Sequence, residues 1–377
     1  MPKTRIWVAL LLGIAGSGCS LITPVARPTA AELSLASADT FRAAIVAGGV
    51  KHLYAWESVG PWAVHVLEVS RSCNPAWEAR KAGPGLSGRA TTSALGQNAL
   101  AAINADFFAL PAGTPVGVQV RGSEVLIGPA DRPMAVAFTR RGQWIDVARL
   151  DATLRTAHTN VPITQVNRPR SPNAQPAARL FTHWYGASAP ADTQLTTVRV
   201  RAFENGRGIV ELVDATGNAI WLEESQIVLH VPRMFSLSAG DTVTWRLQVL
   251  PASGGEPAVE ALGGFPWLLR AGQAVLAQQP GVRPEFGEQR HPRSAIGFTV
   301  DGRALLVVVD GRQAPYSDGM TLKELTDLMQ RLGAHDALNL DGGGSTALAI
   351  RGRAVNRPSD REGQRAVGNA LALVRCK

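Results

Sequence analysis

From about Gly49 onward the chain alternates short apolar runs with turn residues, a pattern of strands and tight connections rather than long helices. Trp62 to Val69 reads as a strand. Thr91 to Asn98 suits a short helix, and Ala99 to Ile103 a buried strand. Val116 to Val120 and Val125 to Ile127, separated by Arg-Gly-Ser-Glu, predict a hairpin. Between about 155 and 255 the pattern is strand-rich and punctuated by Pro and Gly. Thr197 to Ala202, Gly208 to Val213, Ala219 to Leu222 and Val243 to Val249 all suit β structure. Several of these alternate apolar and polar residues, which predicts one solvated face.

The last third is the most regular. Ala295 to Val300 and Ala304 to Val309 flank the turn Asp301-Gly302 and predict a hairpin. Thr321 to Leu332 predicts a helix, with Leu322, Leu325, Leu328, Met329 and Leu332 on one face. Thr321 and Glu324 form a capping-box pair, and Gly333 suits the stop. Ala337 to Leu340 then reads as a buried strand, Asp341 to Ser345 as a Gly-rich loop, and Thr346 to Ile350 as a further strand. The fold class expected is α+β: mixed β-sheets, a few packed helices and a β-rich middle segment.

Composition changes this picture little. Hydrophobic residues at 45% against 18% charged permit a large core, and 38 Gly with 24 Pro favour turns. The net charge of +8 comes from scattered arginines, without a basic run interleaved with aromatics, so nucleic acid is not an expected partner.

The N-terminus adds an address. Lys3 and Arg5 precede the apolar stretch Ile6 to Ala15, and small residues lead to Cys19, the layout of a signal peptide over 1–19. Gly16-Ser17-Gly18-Cys19 resembles a lipobox, with Gly16 where an aliphatic residue is usual, so a lipid on Cys19 would tie the protein to a membrane. Residues 20–48 read as a tether and 49–377 as the folded body, with a β-rich insertion at about 155–255. The expected location is the periplasm or cell envelope. Cys73 and Cys376 remain as either a disulfide or two free thiols.

The chemistry concentrates at Asn339-Leu-Asp341-Gly342-Gly343-Gly344-Ser345-Thr346. It follows a strand, and its glycines free backbone amides to approach a ligand. Such a loop can act as an anion nest. Asp341 supplies a carboxylate, Ser345 and Thr346 hydroxyls, and Asn339 shares a strand face with Asp341. It is neither a phosphate-binding Walker loop nor a dinucleotide fingerprint.

This segment resembles the signature of the phosphodiester glycosidase family. Further segments resemble that family in order: Asn104-Ala-Asp106-Phe-Phe108, Thr114 to Val118, Gly263 to Leu268, His291-Pro-Arg293-Ser-Ala-Ile-Gly297, Asp310-Gly-Arg312, Ser317 to Thr321, Asn356 to Ser359 and Arg365 to Asn369. Ala105, Asp106 and Ser294 depart from the family's usual residues. The resemblance implies an exported hydrolase that cleaves a sugar-1-phosphodiester at its glycosidic C–O bond, in envelope or exopolysaccharide metabolism. Its substrate would be a sugar phosphate or glycan.

The residues fit that chemistry. Arg293 and Arg312 can clamp a phosphate, for which guanidinium offers two parallel donors. Asp341, Asp310 and Asp106 are the carboxylates, Asp341 being preferred as nucleophile or base and Asp106 being placed with the substrate. Asp310 could equally stabilise its own turn. His291 could position substrate or carry a proton, and Asn104 could hold a sugar hydroxyl or a backbone group. Phe107, Phe108 and Trp267 suit either sugar stacking or the core. The carboxylates are also of the type that binds Ca²⁺ or Mg²⁺, although the spacing is not that of an EF-hand. Two other readings stay open: an envelope lipoprotein that binds anionic glycans without turnover, and a metal-dependent phosphodiesterase.

Overall fold

A computed structural model describes residues 27–130, 133–171, 174–204, 206–279 and 281–376. The expected signal peptide and Cys19 lie outside the described residues. Within them, strands dominate over a few short helices, so the fold is mostly β and matches the α+β expectation only loosely.

An eight-stranded antiparallel sheet forms the centre. Its order is Thr40–Ala47, Val50–Glu57, Trp62–Val69, Ala304–Val309, Arg293–Thr299, Ala334–Asn339, Trp267–Arg270 and Gln273–Ala274. The run Ala304–Val309 is buried at every residue, as its unbroken apolar sequence demands. One face is covered by two helices, Ala30–Leu35 and Leu322–Arg331, which seat Leu35, Leu325, Leu328 and Met329 on Val64, Val66, Val307 and Ala337. The longer helix is capped as its sequence predicts: Thr321 Oγ1 accepts from the Glu324 amide, and the Glu324 carboxylate accepts from the Thr321 amide. Gly297 lies under this helix. A Cβ there would stand 2.6 Å from the Met329 methyl and 3.0 Å from Asp336 O, so a larger residue would make both the helix side chain and the neighbouring strand give way.

The opposite face packs on a five-stranded sheet ordered Arg353–Ala354, Leu348–Ile350, Ala101–Asn104, Asn369–Arg375 and Ala76–Lys81. Leu67, Leu306 and Leu338 meet Ile103, Leu348 and Leu371 between them. The disulfide Cys73–Cys376 ties the end of this sheet to an early turn, with Cα atoms 5.0 Å apart. The third body is an eleven-stranded sheet with its own core, including Leu154, Val198, Leu229 and Val249. It contains the β-rich stretch expected at 155–255. Yet Gln119–Arg121, Met134–Phe138 and Glu260–Gly263 belong to it too, so the stretch extends a sheet begun by its flanks.

The expected tether needs correcting. From Ala30 onward it is folded, with Ala31 and Leu35 buried and Thr40–Ala47 paired to Val50–Glu57 over its length. The reason is periodicity: Ala31 and Leu35 are four apart, which places both on one face of a single helical turn.

Candidate active site

Two strands of the central sheet, Ala304–Val309 and Ala334–Asn339, flank Arg293–Thr299 and are both antiparallel to it. They therefore run the same way, and the turns that follow them leave the sheet at one edge. The Gly-rich loop emerges there. It lines a cavity of about 770 Å³ together with Phe107, Arg283, Glu285, Phe286, Gln289, His291, Arg293, Arg312 and Arg365.

Asp341 is fixed through its backbone. Its amide donates to Ala105 O at 2.8 Å, and its carbonyl accepts from Asn104 Nδ2 at 2.6 Å. Its side chain keeps part of its surface open to the cavity and is enclosed on the other sides. Burial pushes its pKa up to about 6, against the opposing pull of Ser345, the Gly342 amide and Arg365. The Gly342 amide donates to Asp341 Oδ1 at 2.9 Å. Ser345 stands close enough to hold the carboxyl down, but its buried hydroxyl makes no hydrogen bond of regular geometry.

Asp106 lies behind it, almost fully buried. Its Oδ2 accepts from the Gly117 amide at 2.6 Å. Burial pushes its pKa up to about 7, with the charge of Asp341 adding to the shift. A Cβ on Gly117 or Gly263 would lie 2.8 or 2.7 Å from this oxygen, so both glycines make room for the carboxylate.

The arginines differ in kind. Arg293 is buried; its Nε donates to Met320 O and its Nη2 to Phe286 O and Gln289 O, which leaves Nη1 without a protein acceptor among the described residues. Burial, helped by Arg312, lowers its pKa to about 10. Arg293 is thus first a brace for the cavity wall. Arg312 is exposed, forms no ion pair among the described residues and lies against Gly343, whose φ of +61° suits glycine. Arg312 itself has φ +59°, an uncommon backbone state for a residue with a side chain. Its Nη2 lies 3.2 Å from His291 Nδ1, and His291 Nε2 lies 3.3 Å from Glu285 O. A guanidinium can only donate, so Nδ1 accepts and the ring carries its proton on Nε2. Burial and the two arginines lower the His291 pKa, in keeping with a neutral ring that steers Arg312. Arg365 pairs with Asp360 at 2.8 Å beside Gly344.

The structure brings Asp341, Gly342, Gly343, Gly344, His291, Arg293 and Arg312 into one cavity and sets other candidates apart. Asn104 is fully buried. Its Oδ1 accepts from Ser294 Oγ and the Ala347 amide, so it orients Asp341 and meets no sugar. Asn339 is buried and donates to Phe265 O and Leu340 O. Ser345 and Thr346 lie buried beneath the loop, outside the cavity lining. Asp310 turns its carboxylate away, towards Tyr316, Asn356 and Arg357. The anion-nest expectation is corrected as well: four of the five amides of 342–346 are taken up locally, by Asp341 Oδ1, Pro292 O, Gly342 O and Gly343 O. The cationic side chains, not the loop amides, give the cavity its charge. Of the aromatics, Phe107 lines the cavity edge-on to Phe286, 5.9 Å between centroids, while Trp267 is buried in the core.

Arg283, Glu285, Phe286 and Gln289 escape a reading of the sequence. They come from a single-turn helix, Pro284–Gly287, and its two flanks, too short to have a periodicity; Pro284 at its start is the one signal. Among the described residues no three His, Cys, Asp or Glu side chains are grouped to hold a metal ion. The carboxylates do not form the oxygen cage that Ca²⁺ or Mg²⁺ would take.

Residues 215–374 match the model of the phosphodiester glycosidase family, the family that the motifs resemble. The mouse N-acetylglucosamine-1-phosphodiester alpha-N-acetylglucosaminidase is 29% identical over 114 residues, 28% of this chain and 22% of that protein. The SPbeta prophage-derived uncharacterized protein YomE of Bacillus subtilis (strain 168) is 39% identical over 84 residues, 22% of this chain and 13% of that one. The chain thus matches less than a quarter of the length of these curated relatives. A hypothetical protein from Synechocystis of known crystal structure shares the fold, with a TM-score of 0.71 and 23% identity over 89% of this chain and 64% of that chain.

Proposed function

We propose that this protein is a phosphodiester glycosidase that cleaves the C–O bond between a sugar's anomeric carbon and a phosphodiester. The observation that carries the reading is the meeting of Asp341 with Arg312, Arg293, Arg283 and Arg365 in one cavity. A phosphodiester bears one negative charge, and guanidinium groups hold such a charge through paired donors. The departing phosphate is weakly basic, so the second carboxylic acid of an ordinary glycosidase is dispensable.

Asp341 is the group placed for the remaining task. Either it takes the proton of a water that attacks the anomeric carbon, or it attacks that carbon itself and the glycosyl ester so formed is then hydrolysed by water, which frees the carboxylate; in both routes the anomeric C–O bond breaks and its electron pair leaves with the phosphate. Either role needs the ionised form, which a pKa of about 6 supplies at neutral pH. His291 holds Arg312 at the phosphate, and Asn104 holds the Asp341 backbone.

Export to a periplasm or envelope, with a lipid on Cys19, belongs to the same proposal. It is supported by the leader-like sequence of 1–19 and by the Cys73–Cys376 disulfide, which suits an oxidising compartment. The test is a panel of sugar phosphodiesters hydrolysed in ¹⁸O-water by wild type and Asp341→Asn. Label in the sugar, lost with the variant, supports the proposal. Label in the phosphate means P–O cleavage, and binding without turnover means a glycan-binding protein.

A further inference from the structure

A second cavity, of about 760 Å³, opens where the first strands of the central sheet run beyond the cover of the five-stranded sheet. The cross-strand row Arg42, Tyr54, His65 crosses its floor, with Trp56 and His52 to either side. Residues Val355 to Arg357 and Tyr316 close it opposite.

The lining is held from within. Trp56 Nε1 donates to Tyr316 O at 2.8 Å, and the Tyr316 hydroxyl donates to Asp310 Oδ2 at 2.9 Å. The Arg357 guanidinium lies over the Tyr316 ring, 5.3 Å from its centroid, while its amide donates to Asp310. His52 Nε2 is 3.1 Å from the Nδ1 of buried His65, whose Nε2 faces Asp310 Oδ2 at 3.8 Å. Trp56 and Tyr316 are thus held by hydrogen bonds and Tyr54 packs on the His65 ring, 4.9 Å between centroids, so the aromatic lining is fixed in place. Preorganisation of this kind lowers the cost of binding.

The charge is one-sided. Arg42 and Arg357 are exposed and form no ion pair among the described residues. No carboxylate is among the described residues that line it; Asp310, behind Tyr316 and Asn356, is buried and already accepts from Asn356, Arg357 and Tyr316. Flat aromatic faces flanked by unpaired guanidinium groups suit a ring with an apolar face and an anionic substituent.

We propose that this cavity binds an anionic saccharide, a pyranose carrying a carboxylate or phosphate, as a site separate from the Asp341 cavity. The two share a wall. Gln313, next to Arg312, donates to Arg357 O at 2.9 Å, and Asn356 accepts from the Leu348 amide just behind the Gly-rich loop. The proposal concerns binding alone and does not depend on turnover at Asp341.

The test uses the full chain carrying Arg312→Ala, which weakens the first cavity for anions. It is titrated calorimetrically with a trigalacturonate, with glucose 1-phosphate and with uncharged maltotriose. Saturable binding of either anionic sugar is expected, roughly tenfold or more tighter than maltotriose. Adding Arg42→Ala and Arg357→Ala, which leave the backbone donor to Asp310 intact, should weaken it by roughly tenfold or more with the melting temperature unchanged. The stronger of the two anionic ligands assigns the substituent. No binding by either, equal binding of maltotriose, or unchanged affinity in the triple variant overturns the proposal. If the triple variant melts early, Arg42→Ala alone, on an exposed strand position, decides in the same way.

Discussion

Two Asp-Gly turns leave the same edge of the central sheet, and they have opposite fates. Asp310-Gly311 follows Ala304–Val309, and Asp341-Gly342 follows Ala334–Asn339, each after an apolar strand. Around Asp310 the chain returns at Asn356 and Arg357 and, with Tyr316, fills the carboxylate with donors at 2.9–3.1 Å. Burial still raises its pKa, but the group has no face left for a substrate in the arginine-lined cavity. Around Asp341 the one donor of regular geometry among the described residues is its neighbour's amide, and the remaining side is open cavity. A carboxylate held in place but under-supplied with donors is the one available for chemistry. The dipeptide is the same; what differs is which distant segment comes to meet it.

The largest expected effect separates the two directly. Asp341→Asn should cut turnover of a responsive sugar phosphodiester about a thousandfold, the scale of a lost base or nucleophile, with an unchanged circular dichroism spectrum. A retained rate would dissolve the contrast. Asp310→Ala should act on stability instead. It leaves Asn356 Nδ2, the Arg357 amide and the Tyr316 hydroxyl without their acceptor, a cost of about 3 kcal/mol in urea unfolding. The folded fraction should lose far less turnover than Asp341→Asn; an equal loss in a stable variant would place Asp310 in the chemistry.

Arg312→Ala should raise KM about 10- to 100-fold, by loss of charge-assisted hydrogen bonds, and make KM less sensitive to salt. An unchanged KM would move the phosphate elsewhere in the cavity.

The smallest effect is a pH dependence. If Asp341 works ionised, kcat/KM should rise with pH through about 6. The sign for stability is opposite. Asp341 and Asp106 have raised folded-state pKa values, about 6 and about 7, so the folded state binds these protons more tightly than the unfolded chain. Their contribution is full below the unfolded carboxylate range and is lost as pH rises through about 6 to 7. Asp106→Asn should flatten the upper part of that loss and leave the rate profile in place, since Asp106, with the higher pKa, is still largely neutral while Asp341 ionises. A rate profile moved by the substitution would show that Asp106 is already charged when Asp341 ionises.

Much of this was legible in the residues. The helix at Leu322–Arg331, its capping box and the hairpin of Arg293–Thr299 with Ala304–Val309 follow from periodicity and caps, which act over a few residues. The Gly-rich loop stood out because three glycines after an apolar strand are locally unusual. The sequence could not show that Asn104 faces the backbone of Asp341 across 237 positions, that Arg293 spends its donors on carbonyls, or that a one-turn helix brings Arg283 and Phe286 to the rim. It favoured Asp341 over Asp310, but it could not show the donors that fill one carboxylate and leave the other open. Local pattern determines where a strand ends and which side chain waits there; whether that side chain is satisfied or left open depends on donors supplied by segments far along the chain, and only their packing in three dimensions decides that.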